Sequence, residues 1–363
     1  MPLLTPPPPM VARHLPTRRD FVLWSGKALG LLALSRVAGL PLAGMGLGTG
    51  ASPDQRVLVV VQLVGGNDGL NTVIPLADEA YRLLRPTLAV PEKRILPLDE
   101  TCGLHPACRG LHALATSGRL TVVHNVGYPL PNRSHFRSAE ISATGGRTRT
   151  TGWLGRYLDL TAPDDRERRP GLGAYLTPEV PACLQNGSAA NRSLSLAAGG
   201  EGFGTGLQRI AAHLATPEAA QVYVISLGGF DTHSHQAGPH AHLLATLSSG
   251  LLAFQETLAK RNLDRRVLTM TVSEFGRRPA ENAAHGTDHG TAAPLFLIGA
   301  DLPRRTYGQV PELPTTADAD LVHATDFRAI YAAILEDWLG VDAGTVLDAG
   351  VEKAPVLTIP ATA

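Results

Sequence analysis

Five short apolar runs stand out against an otherwise mixed chain: "RVLVVVQLV" at 56–64, "LTVVHNV" at 120–126, "QVYVISL" at 221–227, "RVLTMTV" at 266–272 and "APLFLIG" at 293–299. The first four are rich in β-branched residues, and all five show little alternation of apolar with polar positions. That is the pattern of a strand covered on both faces. Between the runs, apolar positions recur at helical spacing over 207–215, 240–260 and 326–339. The last is the clearest. Phe327, Ile330, Tyr331, Ile334, Leu335, Trp338 and Leu339 share one face, Thr325 can cap the start and Gly340 can end the helix. Strands alternating with helices predict an α/β layer fold with a mostly parallel sheet. The stretches 147–170 and 178–204, rich in Gly, Pro, Arg and Ser, read as surface insertions, the first as a small subdomain or lid.

The first fifty residues have a different pattern. Thr17-Arg18-Arg19-Asp20-Phe21 precedes a weakly apolar stretch over 28–46, interrupted by Ser35-Arg36, and small residues come next. This is the layout of a signal peptide, and the arginine pair followed by Phe21 resembles a twin-arginine export signal. Arg36 and the modest length argue against a stable membrane span. Residues 1–50 are therefore read as a leader and 51–363 as a single mature domain. The expected location is periplasmic, reached by transient contact with the twin-arginine translocon.

Composition narrows the function. The 363 residues carry 32 basic and 32 acidic side chains. Phosphate-backbone binding needs a basic excess, so a nucleic-acid partner is not expected. Of the three cysteines, Cys102 and Cys108 stand close enough to pair in an oxidising compartment; three inert buried thiols fit equally well.

In an open parallel sheet, ligands bind beyond the carboxyl ends of the strands, so the residues just after each apolar run are the ones expected to carry chemistry. "GGNDGLNT" after the first delivers Asp68. "GGFDTHSHQ" after 221–227 delivers Asp231, His233 and His235. "SEFGRR" after 266–272 delivers Glu274. "HGTDHGT", just before the last run, delivers Asp288 and His289, with His285 close by. Carboxylates and imidazoles converging on one sheet edge suit a divalent metal. Zn²⁺ or Mn²⁺ are favoured over Ca²⁺ or Mg²⁺, and no cysteine joins the set. The expected ligands are Asp68, Asp231, His233, His235, Glu274 and His289. After 120–126, "HNVGYPLPNRSHF" leads into a short helix with Ser134 and His135 near its start. The free N–H groups of a helix N-terminus favour an anionic substrate group. Ser134 is then a candidate nucleophile beside a metal, with His135 and Arg133 in the catalytic set. A plain capping serine is the alternative. Arg133 and Arg137 either hold the anion or are solvated.

"GGNDGLNTVIP", "RSHF", "GWLGRYL", "GGFDTHSHQ", "SEFGR", "GTDHGT" and "TDFRAIYAAILEDWLG" together resemble an exported bacterial group known as domain of unknown function 1501, within the alkaline-phosphatase and sulfatase-like superfamily. The resemblance implies an alkaline-phosphatase-like three-layer α/β/α sandwich. The superfamily uses two metals, an acidic residue after the first strand, a nucleophile at a helix start and D-x-x-x-H at a later strand end. Asp68, Ser134, and Asp231 with His235 match these, and His289 resembles a final metal histidine. A Ser-Asp-His-Gly of the superfamily resembles Ser273-Glu274-Phe275-Gly276 here. Phe275 cannot bind a metal, so that ligand is missing unless His233 or His285 replaces it. The implied function is an exported metal-dependent hydrolase of a small-molecule or polysaccharide phosphate or sulfate ester. The alternative is a catalytically degenerate periplasmic binding or scaffold protein using the same cleft.

Overall fold

The computed structural model of the protein describes residues 56–161, 173–185, 193–197 and 201–358. The leader, residues 162–170 of the first expected insertion and part of the 178–204 stretch lie outside the described residues. The centre of the fold is a sheet of nine described strands. These are β1 (Val57–Val64), β2 (Leu120–Gly127), β3 (Gly173–Leu176), β4 (Ser193–Ser195), β5 (Val222–Gly228), β6 (Val267–Ser273), β9 (Ala293–Ile298), β10 (Thr306–Tyr307) and β11 (Thr325–Asp326). A separate hairpin, β7 (Arg277–Glu281) with β8 (Thr287–His289), lies between β6 and β9 in the chain. The order across the sheet is β10-β2-β9-β6-β1-β5-β3-β4, with β11 also on β2. The five apolar runs are β1, β2, β5, β6 and β9, each within a residue of the expected bounds.

β1 sits between β5 and β6 and is parallel to both, which explains its unbroken apolar run. Its side chains alternate between two cores. Val57, Val59, Val61 and Leu63 enter one, with Leu111, Leu207, Ile210 and Leu247 from the helices α1 (Arg109–Thr116), α4 (Phe203–His213) and α5 (Ala237–Lys260). Leu58 and Val60 enter the other, with Ile141, Leu154, Tyr157 and Ile330 from α2 (His135–Thr144), α3 (Trp153–Leu160) and α6 (Phe327–Ala333). Helices on both faces of a mostly parallel sheet make the expected three layers.

β9 runs antiparallel to β2 and β6, so its amino end lies at the edge where β1, β5 and β6 finish, and "HGTDHGT" before it reaches that edge as expected. Two local expectations change. Part of the 147–170 stretch is core rather than surface. Trp153, Leu154, Tyr157 and Leu158 of α3 are buried, because their apolar positions share one helical face. Asp326, not Thr325, caps α6 by accepting from the Arg328 N–H at 2.9 Å, while Thr325 pairs with β2. α6 continues into a π-helical turn, Ile334–Trp338, and Gly340 comes soon after at φ +74°. Cys102, Cys108 and Cys183 are buried free thiols. Among the described residues no helix is long and apolar enough to cross a membrane.

Candidate metal centre at the strand ends

The carboxyl ends of β1, β5 and β6 each turn sharply, and their turns pack on one another. Gly65 and Gly66 after β1 hold φ of +115° and +79°, a region costly for residues with a Cβ. Both are also needed for space. A Cβ at Gly65 would meet the backbone of Phe230 and Asp231, and one at Gly66 would run into the Phe275 ring. The turn therefore lets the segments after β5 and β6 close over the end of β1, and it brings Asp231 beside Glu274.

Asp231 Oδ1 is the focus of the site. His233 Nε2 lies 3.0 Å from it, His289 Nε2 3.2 Å and His135 Nε2 3.5 Å. Each imidazole is fastened or faced on its other nitrogen. His135 Nδ1 and Glu274 Oε2 are 2.5 Å apart, His289 Nδ1–H donates to the Arg133 carbonyl at 2.8 Å, and His233 Nδ1 faces Asp288 Oδ1 at 3.4 Å. A Nδ1–H held by an acceptor turns the Nε2 lone pair outward, the usual preparation of a metal-binding histidine. Ligand atoms of His135, Asp231 and His289 all lie within 4.8 Å of one another. His233 Nε2 is 2.9 Å from His289 Nε2. Two imidazole nitrogens and one carboxylate oxygen form a donor set that fits a first-row divalent ion, and His233 stands at its edge, near Asp231 and His289.

Charge in the centre is strongly biased. Burial favours the neutral form of His135, but its contacts with Asp231 and Glu274 outweigh this and raise it to about 9. Burial likewise opposes ionisation of Asp231, yet His135, His289 and Arg277 hold its carboxyl well below the usual carboxylate range. Arg277 is buried beneath. Its guanidinium donates to Asp231 Oδ1 at 2.6 Å, to the Gly66 carbonyl at 2.8 Å, to the Phe230 carbonyl at 3.1 Å and to the Gly65 carbonyl. The Phe275 ring is buried against two of the imidazoles, with centroids 4.8 Å from His135 and 4.6 Å from His289.

Of the residues expected from sequence, the structure brings Asp231, His233, Glu274, His289 and His135 together. Glu274 contributes by holding His135 and by accepting from the Gly65 N–H at 3.1 Å. His235 lies outside the group and is exposed, its ring 6.5 Å from that of His285. Asp68 is also apart. It is fully buried, with Oδ2 accepting from Arg85 at 2.7 Å and from Gln236, and Oδ1 accepting from the Asn71 N–H at 3.3 Å. Burial works against its charge, but the Arg85 guanidinium wins and lowers it below the ordinary carboxylate value. Ser134 is the exposed N-cap of α2 without a side-chain cap bond. It stands in the chain between Arg133, whose carbonyl holds His289, and His135. Sequence reasoning assigns no role to Arg277 or Arg85. The only signal is the "SEFGRR" motif, which contains Arg277.

A groove of about 580 Å³ is lined by Pro131, Arg133, Thr291, Asp320, Leu321 and His323 among others, and Arg133, whose carbonyl holds His289, links it to the group. Its volume falls within the usual range for small-molecule sites. The Arg133 guanidinium pairs with the Asp320 carboxylate at its wall.

Residues 184–345 match the family described as "Protein of unknown function (DUF1501)", the family that the motifs resemble. No curated protein matches the chain significantly. Among solved structures, similarity extends to the C-terminal periplasmic domain of EcEptC from Escherichia coli in complex with Zn, at 11% identity and TM-score 0.46, over 83% of this chain and 89% of that one. It extends to an inactive murine ectonucleotide pyrophosphatase/phosphodiesterase 5 in complex with AMP, at 11% and 0.42, over 80% and 96%. A protein in the alkaline phosphatase superfamily from Vibrio parahaemolyticus is similar at 11% and 0.43, over 84% and 70%.

Proposed function

We infer that this chain, which matches that family of unknown function over residues 184–345, is an exported metal-dependent hydrolase of a phosphate or sulfate ester. The observation that carries the reading is the convergence of three imidazole Nε2 atoms on Asp231 Oδ1, with each Nδ1 turned to an acceptor. With Nδ1–H of His289 committed to a carbonyl, its Nε2 would set a lone pair against a carboxylate oxygen at 3.2 Å. A cation between them removes that conflict, be it a proton or a metal ion. His135, Asp231 and His289 would hold the ion and His233 would complete the set; nitrogen and oxygen donors without cysteine favour Zn²⁺ or Mn²⁺. When bound, the ion supplies positive charge that stabilises the anionic ester oxygens.

The chain's own residues account for the rest. The positive end of the α2 dipole favours an anion beside Ser134, and the Arg133 guanidinium would join it by leaving Asp320. The Ser134 hydroxyl, free of a capping bond, attacks the phosphorus or sulfur. The ester's alcohol leaves toward the adjoining groove, and water then releases Ser134. Export rests on the Arg18-Arg19 leader and puts the activity in the periplasm.

One observation favours a second reading, a binding protein without turnover: the Phe275 ring packs directly on His135 and His289. Purified protein should retain about one equivalent of metal and hydrolyse an aryl phosphate or aryl sulfate. Ser134→Ala should lose at least about a thousandfold in kcat with metal content unchanged. Metal bound without turnover of any aryl ester supports the binding protein, and turnover unaffected by the substitution removes Ser134 from its role.

A further inference from the structure

We propose that the centre takes a single divalent cation, because two buried arginines, Arg85 and Arg277, stand where a second ion would have to be held. The proposal rests on the metal-dependent reading above and concerns how this chain uses its acidic residues.

Asp68, at the end of β1, is the carboxylate to which the two-metal resemblance assigns an ion. Its side chain and that of Arg85 are both wholly buried, with Arg85 Nη1 2.7 Å from Asp68 Oδ2. The other Arg85 donors are committed to Asn71 Oδ1 at 2.8 Å, the Pro279 carbonyl at 2.7 Å and the Arg278 carbonyl at 3.1 Å. A guanidinium does not lose its proton in a protein. To reach Asp68, an ion would have to expel a permanent cation from four partners and leave it uncompensated in the interior, which strongly disfavours the exchange.

Arg277 sets a second permanent cation against Asp231, donating to the same Oδ1 that the imidazoles approach. Its side chain is also wholly buried. Besides the contacts already described it donates to the Thr287 carbonyl at 2.8 Å, so the end of β1, the turn after β5 and the β7–β8 hairpin all meet on one guanidinium. Asp231 is thereby held with Oδ1 toward the three imidazoles. The Phe275 ring fills the flank of His135 and His289, leaving no donor there. Charge agrees with a single ion. Asp231, Glu274 and Asp288 supply three negative charges and Arg277 one positive, so one divalent ion neutralises the centre. A second would bring it to +2 with Asp68 already neutralised. Arg277 is thus a positioning residue, acting on the ion through Asp231.

Titration of the metal-free full chain with Zn²⁺, with elemental analysis after dialysis, should give one equivalent per chain. Two equivalents of comparable affinity would overturn the proposal; none at all would remove the metal-dependent reading and this inference with it. The pair Asp68→Asn with Arg85→Met removes both buried charges together, so it avoids stranding either. It should keep one equivalent with Kd within about threefold of the parent, whereas a loss of about 100-fold would make Asp68 a ligand and sink the idea. Arg277→Lys keeps the charge and loses the fork. Its one equivalent should bind about 10- to 100-fold more weakly, and the visible spectrum of the Co²⁺ form should change; an unaltered spectrum and Kd would deny the positioning role.

Discussion

Asp68 and Asp231 leave neighbouring strand ends of one sheet, come after glycine pairs in similar motifs, and each bonds a buried arginine; yet their surroundings differ in kind. Around Asp68 every oxygen is answered by Arg85, Gln236 or Asn71, and nothing reaches solvent. Around Asp231 the carboxylate is 40% exposed and three imidazoles turn toward one oxygen. A saturated carboxylate serves the fold, because its charge is already balanced and any newcomer must first break strong bonds. An over-subscribed, half-open one can exchange partners. The lesson is that the partners of each oxygen, rather than the residue type or its position at a strand end, separate scaffold from site.

Breaking each side should expose the contrast. Arg85→Ala strands a buried charge and should cost about 3–5 kcal/mol in urea unfolding. Asp231→Asn in ion-free protein keeps an acceptor for the buried Arg277 and sits where solvent reaches, so it should cost less, about 1–3 kcal/mol; equal losses would erase the distinction. Gly66 joins the two regions. Gly66→Ala meets both the left-handed backbone at φ +79° and the Phe275 ring, and should lower stability by roughly 1–3 kcal/mol, with the loss partly relieved by Phe275→Ala. An acid effect belonging to neither region comes from His124, which burial lowers to about 4 from 6.5 while Asp99 opposes the shift. Between those values the unfolded chain binds the extra proton. Its contribution to stability should therefore be constant above pH 6.5, fall by about 1.4 kcal/mol per unit as pH drops from there toward 4, and level off below; His124→Gln should remove that share of the slope and leave the shares of His105 and His240, which burial lowers alike. Arg133→Ala breaks only a rim pair with an arginine 44% exposed and should change stability by less than about 1 kcal/mol, which urea midpoints can check.

The sheet is legible in the sequence because burial on both faces demands unbroken apolar runs, and β1, β2, β5, β6 and β9 have them. Direction is less legible. Nothing in "APLFLIG" marks β9 as antiparallel, since both of its neighbours bury it as they would a parallel strand. At the site, "GGFDTHSHQ" and "GTDHGT" announce Asp231, His233 and His289 because small residues around them permit close approach of backbones. The partner of Asp68 is hidden. Arg85 lies seventeen residues further on, in an irregular stretch, and its long side chain crosses to the segment after β6. Such reach leaves no period or spacing to read.

Arg277 and His289 are opposite each other in the β7–β8 hairpin, so the group that anchors Asp231 and one of the imidazoles that approach it belong to a single ladder rung. A one-residue slip in a strand pair exchanges the faces of every side chain beyond it. Lengthening the tip at 282–286 by one residue without a compensating bulge would therefore displace anchor and donor in one stroke.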